Sequence, residues 1–277
     1  MGILRRFFGD IAAKISIDAD LFSDSGNSEF FTSNFSRSDV ERLFGKSGVL
    51  QTLAQSGFSD FNFKIYLDES FVNRLELYSG ADILIDLRIS VSGIMLPEPF
   101  FERCEFLNIE WLSASNPKSH GVSKKLLPGQ SNSGLGILHP LLRLMRLSAS
   151  LIREDGFMNV PDHLHLALMY SSRFKFINPE NEGLIRSVRR DLRKDGLFNT
   201  AWAYSCDAIV DAETNEKIVY NPSAQIYPAS KTIKKYFTSD TYQRSVKEFS
   251  KKRIMIDYDI MNKRKSEMMK RLRPAEV

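Results

Sequence analysis

The chain has 277 residues, 43% of them hydrophobic and 26% charged, with a formal net charge of +4. This composition is typical of an ordinary globular protein with a sizeable core. No apolar run approaches the roughly 18 residues that span a bilayer, and no secretory signal is recognisable at the N-terminus. Cys104 and Cys206 are too few and too far apart for a disulfide framework or a cysteine zinc site. We therefore expect a cytoplasmic protein.

The basic residues are concentrated near the C-terminus. Residues 230–277 carry 14 Lys or Arg and 6 Asp or Glu. The sequence thus predicts three parts: an amphipathic N-terminal segment and linker (1–37), a main domain (38–228) and a basic helical extension (229–277). The extension could contact nucleic acid, an anionic membrane or an acidic partner, or could be a solvated amphipathic helix.

The N-terminal part begins with an amphipathic basic segment, Gly2 to Ile17, which packs on the main domain or lies on a membrane surface. A polar linker follows. Ser38 to Glu41 has the form of a capping box and predicts one or two helices up to Ser56. The expected breaks are Gly45 and Gly48.

The middle of the chain changes to a period of two, which predicts strands. These strands run from Phe61 to Ser92, with a hairpin turn at Ser79 to Asp82 that makes this part of the sheet antiparallel. Glu105 to Leu112 is another predicted strand. Its alternation places Leu107, Ile109 and Trp111 on one face and Asn108 and Glu110 on the other.

A glycine-bearing loop, Leu126 to Gly136, precedes the next predicted helix. That helix, Leu138 to Ile152, has a regular apolar stripe. A strand (Phe157 to Val160), a helix opened by Pro161 and Asp162, and a strand (Arg173 to Ile177) follow in that order.

The remaining elements are predicted from weaker patterns. We expect a helix over Glu182 to Arg193 and strands over Thr200 to Val210 and Lys217 to Tyr220, around a turn at Glu213 to Glu216. A long apolar stripe between cationic faces predicts one long helix from Tyr242 to Leu272. The fold class is α/β (α+β), with a mixed, mainly antiparallel central sheet flanked by helices and a long basic C-terminal helix.

The glycine loop is a candidate anion site. Gly134 and Gly136 lack the Cβ atoms that would hold a phosphate away, and the following helix offers unpaired N–H groups and the positive end of its dipole. The candidate cofactor-binding residues are Gly129, Gln130, Ser131, Asn132, Ser133, Gly134, Leu135, Gly136 and Ile137.

Two segments resemble signatures of the GNAT superfamily of N-acetyltransferases. The run from Gln130 to Gly136 is similar to the family's acyl-CoA pyrophosphate loop, Gln/Arg-x-x-Gly-x-Gly/Ala, although three residues separate Gln130 from Gly134 here. Ala167 to Phe176 is similar to the second signature, with Arg173 or Lys175 near the position of its Gly. The resemblance covers about residues 60 to 178.

This resemblance implies a GNAT-like fold in which the strands Glu105 to Leu112 and Phe157 to Val160 diverge. The pantetheine arm of the acyl donor then pairs with the exposed strand edge, as a peptide does in strand addition. The implied co-substrate is acetyl-CoA or another acyl-CoA, and the implied acceptor is a small-molecule or protein amine.

Three residues are candidates for catalysis. The resemblance implies that Tyr170 protonates the departing thiolate, whereas the alternative is an amphipathic Tyr at the sheet edge. Glu110 is the candidate base, against the alternative of an exposed strand carboxylate. His165 or its neighbour His163 could relay a proton or could pack or cap. Because these histidines are two residues apart and should face different sides, no metal site is expected.

Two functions remain open from the sequence. The first is an acyl-CoA-dependent N-acyltransferase that works by direct attack of an amine. The second is a catalytically inactive protein of the same fold, whose basic C-terminal helix binds nucleic acid, anionic lipid or a protein partner. No Gly-x-Ser-x-Gly elbow and no Walker-type phosphate loop is found, which argues against a serine hydrolase and a nucleotide triphosphatase.

Overall fold

A computed structural model of the chain describes residues 30–67, 72–119, 126–130 and 133–272. Predictions for the segment Gly2 to Ile17, and for Ser131 and Asn132 of the glycine loop, lie outside the described residues. The helices in the described ranges are α1 (Arg37–Ser47), α2 (Val49–Gln55), α3 (Leu138–Ser148), α4 (Leu164–Tyr170), α5 (Pro179–Asp191), α6 (Gly196–Ser205), α7 (Lys231–Thr238), α8 (Asp240–Phe249) and α9 (Tyr258–Leu272). The strands are β1 (Phe30–Phe31), β2 (Phe35–Ser36), β3 (Phe61–Leu67), β4 (Asn73–Ser79), β5 (Asp82–Met95), β6 (Arg103–Ala114), β7 (Gly156–Asn159), β8 (Lys175–Phe176), β9 (Ile209–Asp211), β10 (Gln225–Pro228) and β11 (Ile254–Ile256).

The centre of the fold is a 7-stranded sheet with the order β3-β4-β5-β6-β7-β10-β8. Strands β6 and β7 are parallel, and the other neighbouring strands of this sheet are antiparallel. Helices pack on the sheet, so the expected mixed, mainly antiparallel sheet flanked by helices is confirmed. Small two-stranded sheets are formed by β1 with β2 and by β9 with β11.

The two faces of the sheet bury different cores. Leu107 and Phe157 belong to the first core, whereas their neighbours Phe106 and Met158 belong to the second, because successive strand residues point to opposite faces. Helices α1, α2 and α3 cover the first face. Helices α7 and α8 cover the second face over β6, β7 and β10.

A third core joins α4, α5, α6 and α9 to the β9-β11 sheet. Its buried side chains include Leu164, Ile185, Trp202 and Ile254. Within the described residues, none of the helices combines the length and the apolar character needed to cross a membrane.

Local sequence signals account for the start of the domain. Helix α1 has a capping box formed by Ser36 and Asp39, two residues earlier than the sequence predicts. Gly48 ends α1 with a left-handed φ of 86°, whereas Gly45 lies inside the helix and does not break it. The turn Gly80–Ala81 joins β4 to β5, as expected for the hairpin.

The prediction of one long helix from Tyr242 to Leu272 is wrong. The chain forms α8, then strand β11, then α9. Ile254 and Ile256 are buried and Met255 is exposed, a period of two, because β11 pairs with β9. The apolar positions that predicted one helix therefore belong to two shorter helices and to the strand between them.

Two further predictions fail between residues 196 and 228. Most of the predicted strand Thr200 to Val210 is helix α6, where Thr200 to Ala203 are all buried. Lys217 to Tyr220 makes one isolated bridge, from Lys217 to Val210, rather than a strand. Strand β10 was missed because Gln225 and Pro228 give it no apolar pattern, yet it lies between β7 and β8.

The start of β7 offers a sharp stability test. A Cβ built on Gly156 would lie 2.1 Å from the backbone oxygen of Tyr227 on β10. We expect Gly156→Ala to lower the free energy of unfolding by about 3 kcal/mol or more, since backbone atoms must move to relieve the clash. Urea denaturation measures this change.

The matched control is Gly45→Ala inside α1, where a Cβ meets nothing within 4 Å. This change should raise the free energy of unfolding by about 0.5 to 1 kcal/mol, because Ala is the better helix former. If Gly156→Ala is as stable as the parent, the close approach of β7 and β10 is wrong.

Candidate active site

The most unusual feature of the sheet is an unpaired stretch of one edge of β6. The parallel ladder joins β6 to β7 through three pairs only, Phe106–Gly156 to Asn108–Met158. Beyond Asn108, β6 continues to Ala114, but β7 ends at Asn159. Among the described residues no strand pairs with this side of β6 over Ile109 to Ala114, a length of about 20 Å at about 3.3 Å per residue. We call this stretch the β6 gap.

The glycine loop closes the far end of the β6 gap. Ser115 forms an isolated bridge with Gly134, and the Asn116 N–H donates to the Ser133 oxygen at 3.1 Å. The Ser133 N–H donates in turn to the Ser119 hydroxyl at 3.0 Å. The gap is thus bounded by β7 at one end and by the loop at the other.

The predicted cofactor residues divide into anchors and exposed positions. Leu135 and Ile137 are buried in the first core, whereas Gly129, Gln130, Gly134 and Gly136 are exposed. Gly129 and Gly136 have φ values of 81° and 71°, which glycine adopts without strain.

The loop is also fixed through its own hydrogen bonds. The Gln130 side-chain oxygen accepts from the Leu127 N–H at 3.1 Å. The Leu126 oxygen accepts from the indole N–H of Trp202 on α6 at 3.2 Å. The side chain of Gln130 therefore shapes the loop, while the exposed glycines leave room at its surface.

Helix α3 begins directly after the loop. No side chain of the described residues caps its N-terminus. Pro140 lacks an N–H, and the Leu141 N–H is used by the Ile137 oxygen, which leaves Leu138 and His139 as first-turn donors. These donors and the helix dipole favour an anion at this end of the gap.

A β-bulge changes the direction of side chains along the gap. Arg88 pairs with Trp111 and Ile89 with Ile109, so Glu110 is an extra residue on β6. The predicted placement of Trp111 on the same face as Ile109 is wrong for this reason: Trp111 is 53% exposed and lies 5.9 Å from the Arg88 guanidinium. The Glu110 carboxylate is exposed and accepts a hydrogen bond from the Ser90 hydroxyl.

An apolar cavity of about 60 Å³ borders the gap on the side of the first core. Ile109 and Leu112 of β6, Phe157 of β7, and Leu144 of α3 are among its lining residues. Since a cavity of about 150 Å³ holds benzene, this one has room for roughly two to three carbon atoms.

Two buried amide side chains lie at the end of β7. Asn159 is opposite Gln225 of β10 in the antiparallel ladder, and their exposed fractions are 7% and 0%. The Gln225 amide nitrogen donates to the Ala167 oxygen at 3.1 Å, which fixes its orientation. Within the described residues neither side-chain oxygen accepts a hydrogen bond. Because buried acceptors are costly when unpaired, a donor from a ligand or a bound water suits this position.

Tyr170 lies at the end of α4, on the helix that follows β7. Its ring contacts Phe174 at a centroid distance of 5.6 Å, and Phe174 contacts Tyr227, which contacts Phe157. Burial raises the pKa of Tyr170, so the phenol is a neutral proton donor at neutral pH.

His165 is buried on α4, and His163 precedes the helix with an extended backbone. The expectation that these side chains face different sides is wrong: the rings stack, with centroids 5.4 Å apart. Burial, assisted by His163, lowers the pKa of His165 to about 4. At neutral pH this imidazole is therefore uncharged and a weak base.

The structure thus places the predicted catalytic residues on β6 and on the helix that follows β7. Glu110 lies on β6 beside the gap, and Tyr170 and His165 lie on the helix after β7. The sequence patterns did not identify Asn159 or Gln225. Asn159 follows two apolar residues in the short strand β7, and Gln225 lies in β10, which has no apolar alternation. Within the described residues no group of His, Cys, Asp or Glu is arranged to hold a metal ion.

Comparisons of the chain with protein-family models, with curated proteins and with solved structures found no match.

The pKa of His165 has a consequence for stability. Its folded pKa of about 4 is below the ordinary value of 6.5, so the unfolded chain binds a proton first as the pH falls. We expect the free energy of unfolding to decrease by about 2 kcal/mol from this histidine between about pH 7.5 and about pH 5. His165→Phe should remove that part of the pH dependence.

Urea unfolding at both pH values measures the difference. His139→Gln, at an exposed histidine, is the control and should keep the pH dependence of the parent. Identical pH dependence in the parent and in His165→Phe would contradict the burial of a neutral imidazole at this position.

Proposed function

We propose that this chain is an acyl-CoA-dependent N-acyltransferase of the GNAT type. The observation that carries the proposal is the β6 gap, a strand edge without a partner strand among the described residues, which lies between the end of its parallel neighbour β7 and a glycine loop. An extended pantetheine arm needs such an edge, because its amides exchange hydrogen bonds with backbone groups as an added strand does.

The gap and the cavity beside it suit the two ends of a thioester donor. At one end, Gly134, Gly136 and the first turn of α3 supply space, N–H donors and a positive dipole for a pyrophosphate. Behind β6, the small apolar cavity suits a short acyl group such as acetyl. The side-chain oxygens of Asn159 and Gln225 would accept hydrogen bonds from amide N–H groups of the arm.

The predicted chemistry is direct attack by an amine on the thioester carbonyl carbon. Glu110, or a water held by it, accepts the proton that the amine nitrogen loses as the N–C bond forms. Tyr170 donates its proton to the sulfur as the C–S bond breaks, and solvent later restores the phenol. A raised pKa keeps Tyr170 protonated until that step. His165 is too weak a base to accept the amine proton and instead positions α4.

Binding of the donor is tested by thermal denaturation with acyl-CoAs. Acetyl-CoA should raise the melting temperature by mass action, and acyl groups much longer than butyryl should raise it less, because the cavity is small. Gly134→Asp should abolish the shift, since it places a carboxylate where the pyrophosphate binds.

Position 134 permits a clean control. A Cβ there meets only the Ala114 oxygen, at 3.9 Å, so a side chain fits without strain. Gly134→Asn has nearly the shape of Asp without its charge and should retain most of the shift. Absence of a shift with every acyl-CoA would contradict the proposal and would favour the alternative of an inactive interaction protein.

The role of Tyr170 is tested by release of free CoA thiol in the presence of a panel of amines. Tyr170→Phe should lower the turnover number by about 100-fold, because the thiolate loses its proton donor, and should leave the acetyl-CoA melting shift unchanged. Loss of the shift together with the activity would instead assign Tyr170 to packing. Unchanged turnover would exclude it as the acid.

A further inference from the structure

A groove away from the proposed active site has an unusual concentration of positive charge. It lies between α4, α5 and α6 and has a volume of about 450 Å³. Arg189, Arg190 and Arg193 line it, and none of the described lining residues is acidic. We call it the arginine groove. The remaining lining residues are Leu168, Val188, Leu192, Gly196, Leu197 and Thr200.

The arginines of this groove differ in their partners. Arg190 is held by the Asp191 carboxylate at 2.7 Å and by the backbone oxygens of Ser250 and Lys252. Its charge is therefore balanced, and its pKa is raised mainly by the hydrogen bond to Asp191. Arg190 joins α5 to the segment that follows α8 and is a structural residue.

Arg189 and Arg193 have no carboxylate partner among the described residues. Arg189 makes only long contacts, of 3.4 and 3.5 Å, to the oxygen atoms of Ser171. Both side chains are exposed and lie four residues apart around the end of α5. Because both guanidinium groups line one groove, an anion bound there would reduce the repulsion between them.

The chemistry of the groove favours a phosphate monoester. Two unbalanced guanidinium groups match the charge of about −1.5 to −2 on such a group better than the single charge of a carboxylate, and their planar forks suit its oxygens. The apolar walls formed by Leu168, Leu192 and Leu197 can pack the organic part of the ligand. We propose that the arginine groove binds a phosphate monoester that carries an apolar or aromatic group.

This site is separate from the β6 gap. Leu168 of the groove packs with the third core, whereas Tyr170 of the same helix packs with the first core. The proposal therefore does not depend on acyltransferase activity.

Isothermal titration of the full chain, at constant ionic strength, tests the proposal with two kinds of probe. The soluble probes are inorganic phosphate and adenosine monophosphate, compared with acetate. The membrane probe is a vesicle of phosphatidylcholine with phosphatidic acid, compared with phosphatidylcholine alone. Binding of a soluble probe identifies a small-molecule site, binding of the vesicle alone identifies a lipid headgroup, and binding of neither overturns the proposal.

Variants assign any binding to the groove. Arg189→Gln with Arg193→Gln should weaken binding of the phosphate probe at least about tenfold, while the free variant should melt close to the parent, because both side chains are exposed. Arg189→Lys with Arg193→Lys should bind with intermediate affinity. Lys231→Gln with Lys235→Gln on α7 removes the same charge from another exposed helix and should bind as the parent does.

Two results would overturn the proposal. Undiminished phosphate binding by the double Gln variant would place the site elsewhere. Equal weakening in the α7 control would show that net charge, not the groove, attracts the probe.

Discussion

The short parallel contact between β6 and β7 is the constraint on which the candidate site depends. Three residue pairs join the two strands. On the opposite edge of β7, the backbone of β10 lies so close to Gly156 that this residue has no room for a side chain. Because the ladder stops after Asn108, the remainder of β6 has one edge that pairs with no other strand of the described part of the chain. The loop at Gly134 bounds this edge at its far end. The bulge adds Glu110, which supplies a polar side chain beside the edge.

The order of elements around this site could be predicted from the sequence, because the antiparallel strands, the glycine loop and α3 have regular patterns. The face of the sheet on which Trp111 lies could not be predicted, because simple alternation assumes that the strand contains no extra residue. Helix α6 was missed because the run of buried residues Thr200 to Ala203 hides the helical period, and β10 was missed because Gln225 and Pro228 interrupt its apolar pattern. The Asn159–Gln225 pair arises only from strand register, which no local pattern contains.

Helix α4 and the end of α5 differ in charge. On α4, His165 is buried, Tyr170 is partly buried, and both remain neutral at physiological pH. On the outer helices, Asp191 balances Arg190 and Arg253, while Arg189 and Arg193 line a groove. The uncompensated arginines of the groove create a positive potential that attracts anions.

The row of rings from Tyr170 through Phe174 and Tyr227 to Phe157 connects helix α4 to two neighbouring strands. Aromatic side chains have few rotamers, so a displacement at one end of such a row is passed on to the other rather than absorbed. A displacement of Tyr227 on β10 would consequently be passed through Phe174 to the Tyr170 ring. A substitution at position 227 would then move the Tyr170 hydroxyl without changing any residue of α4.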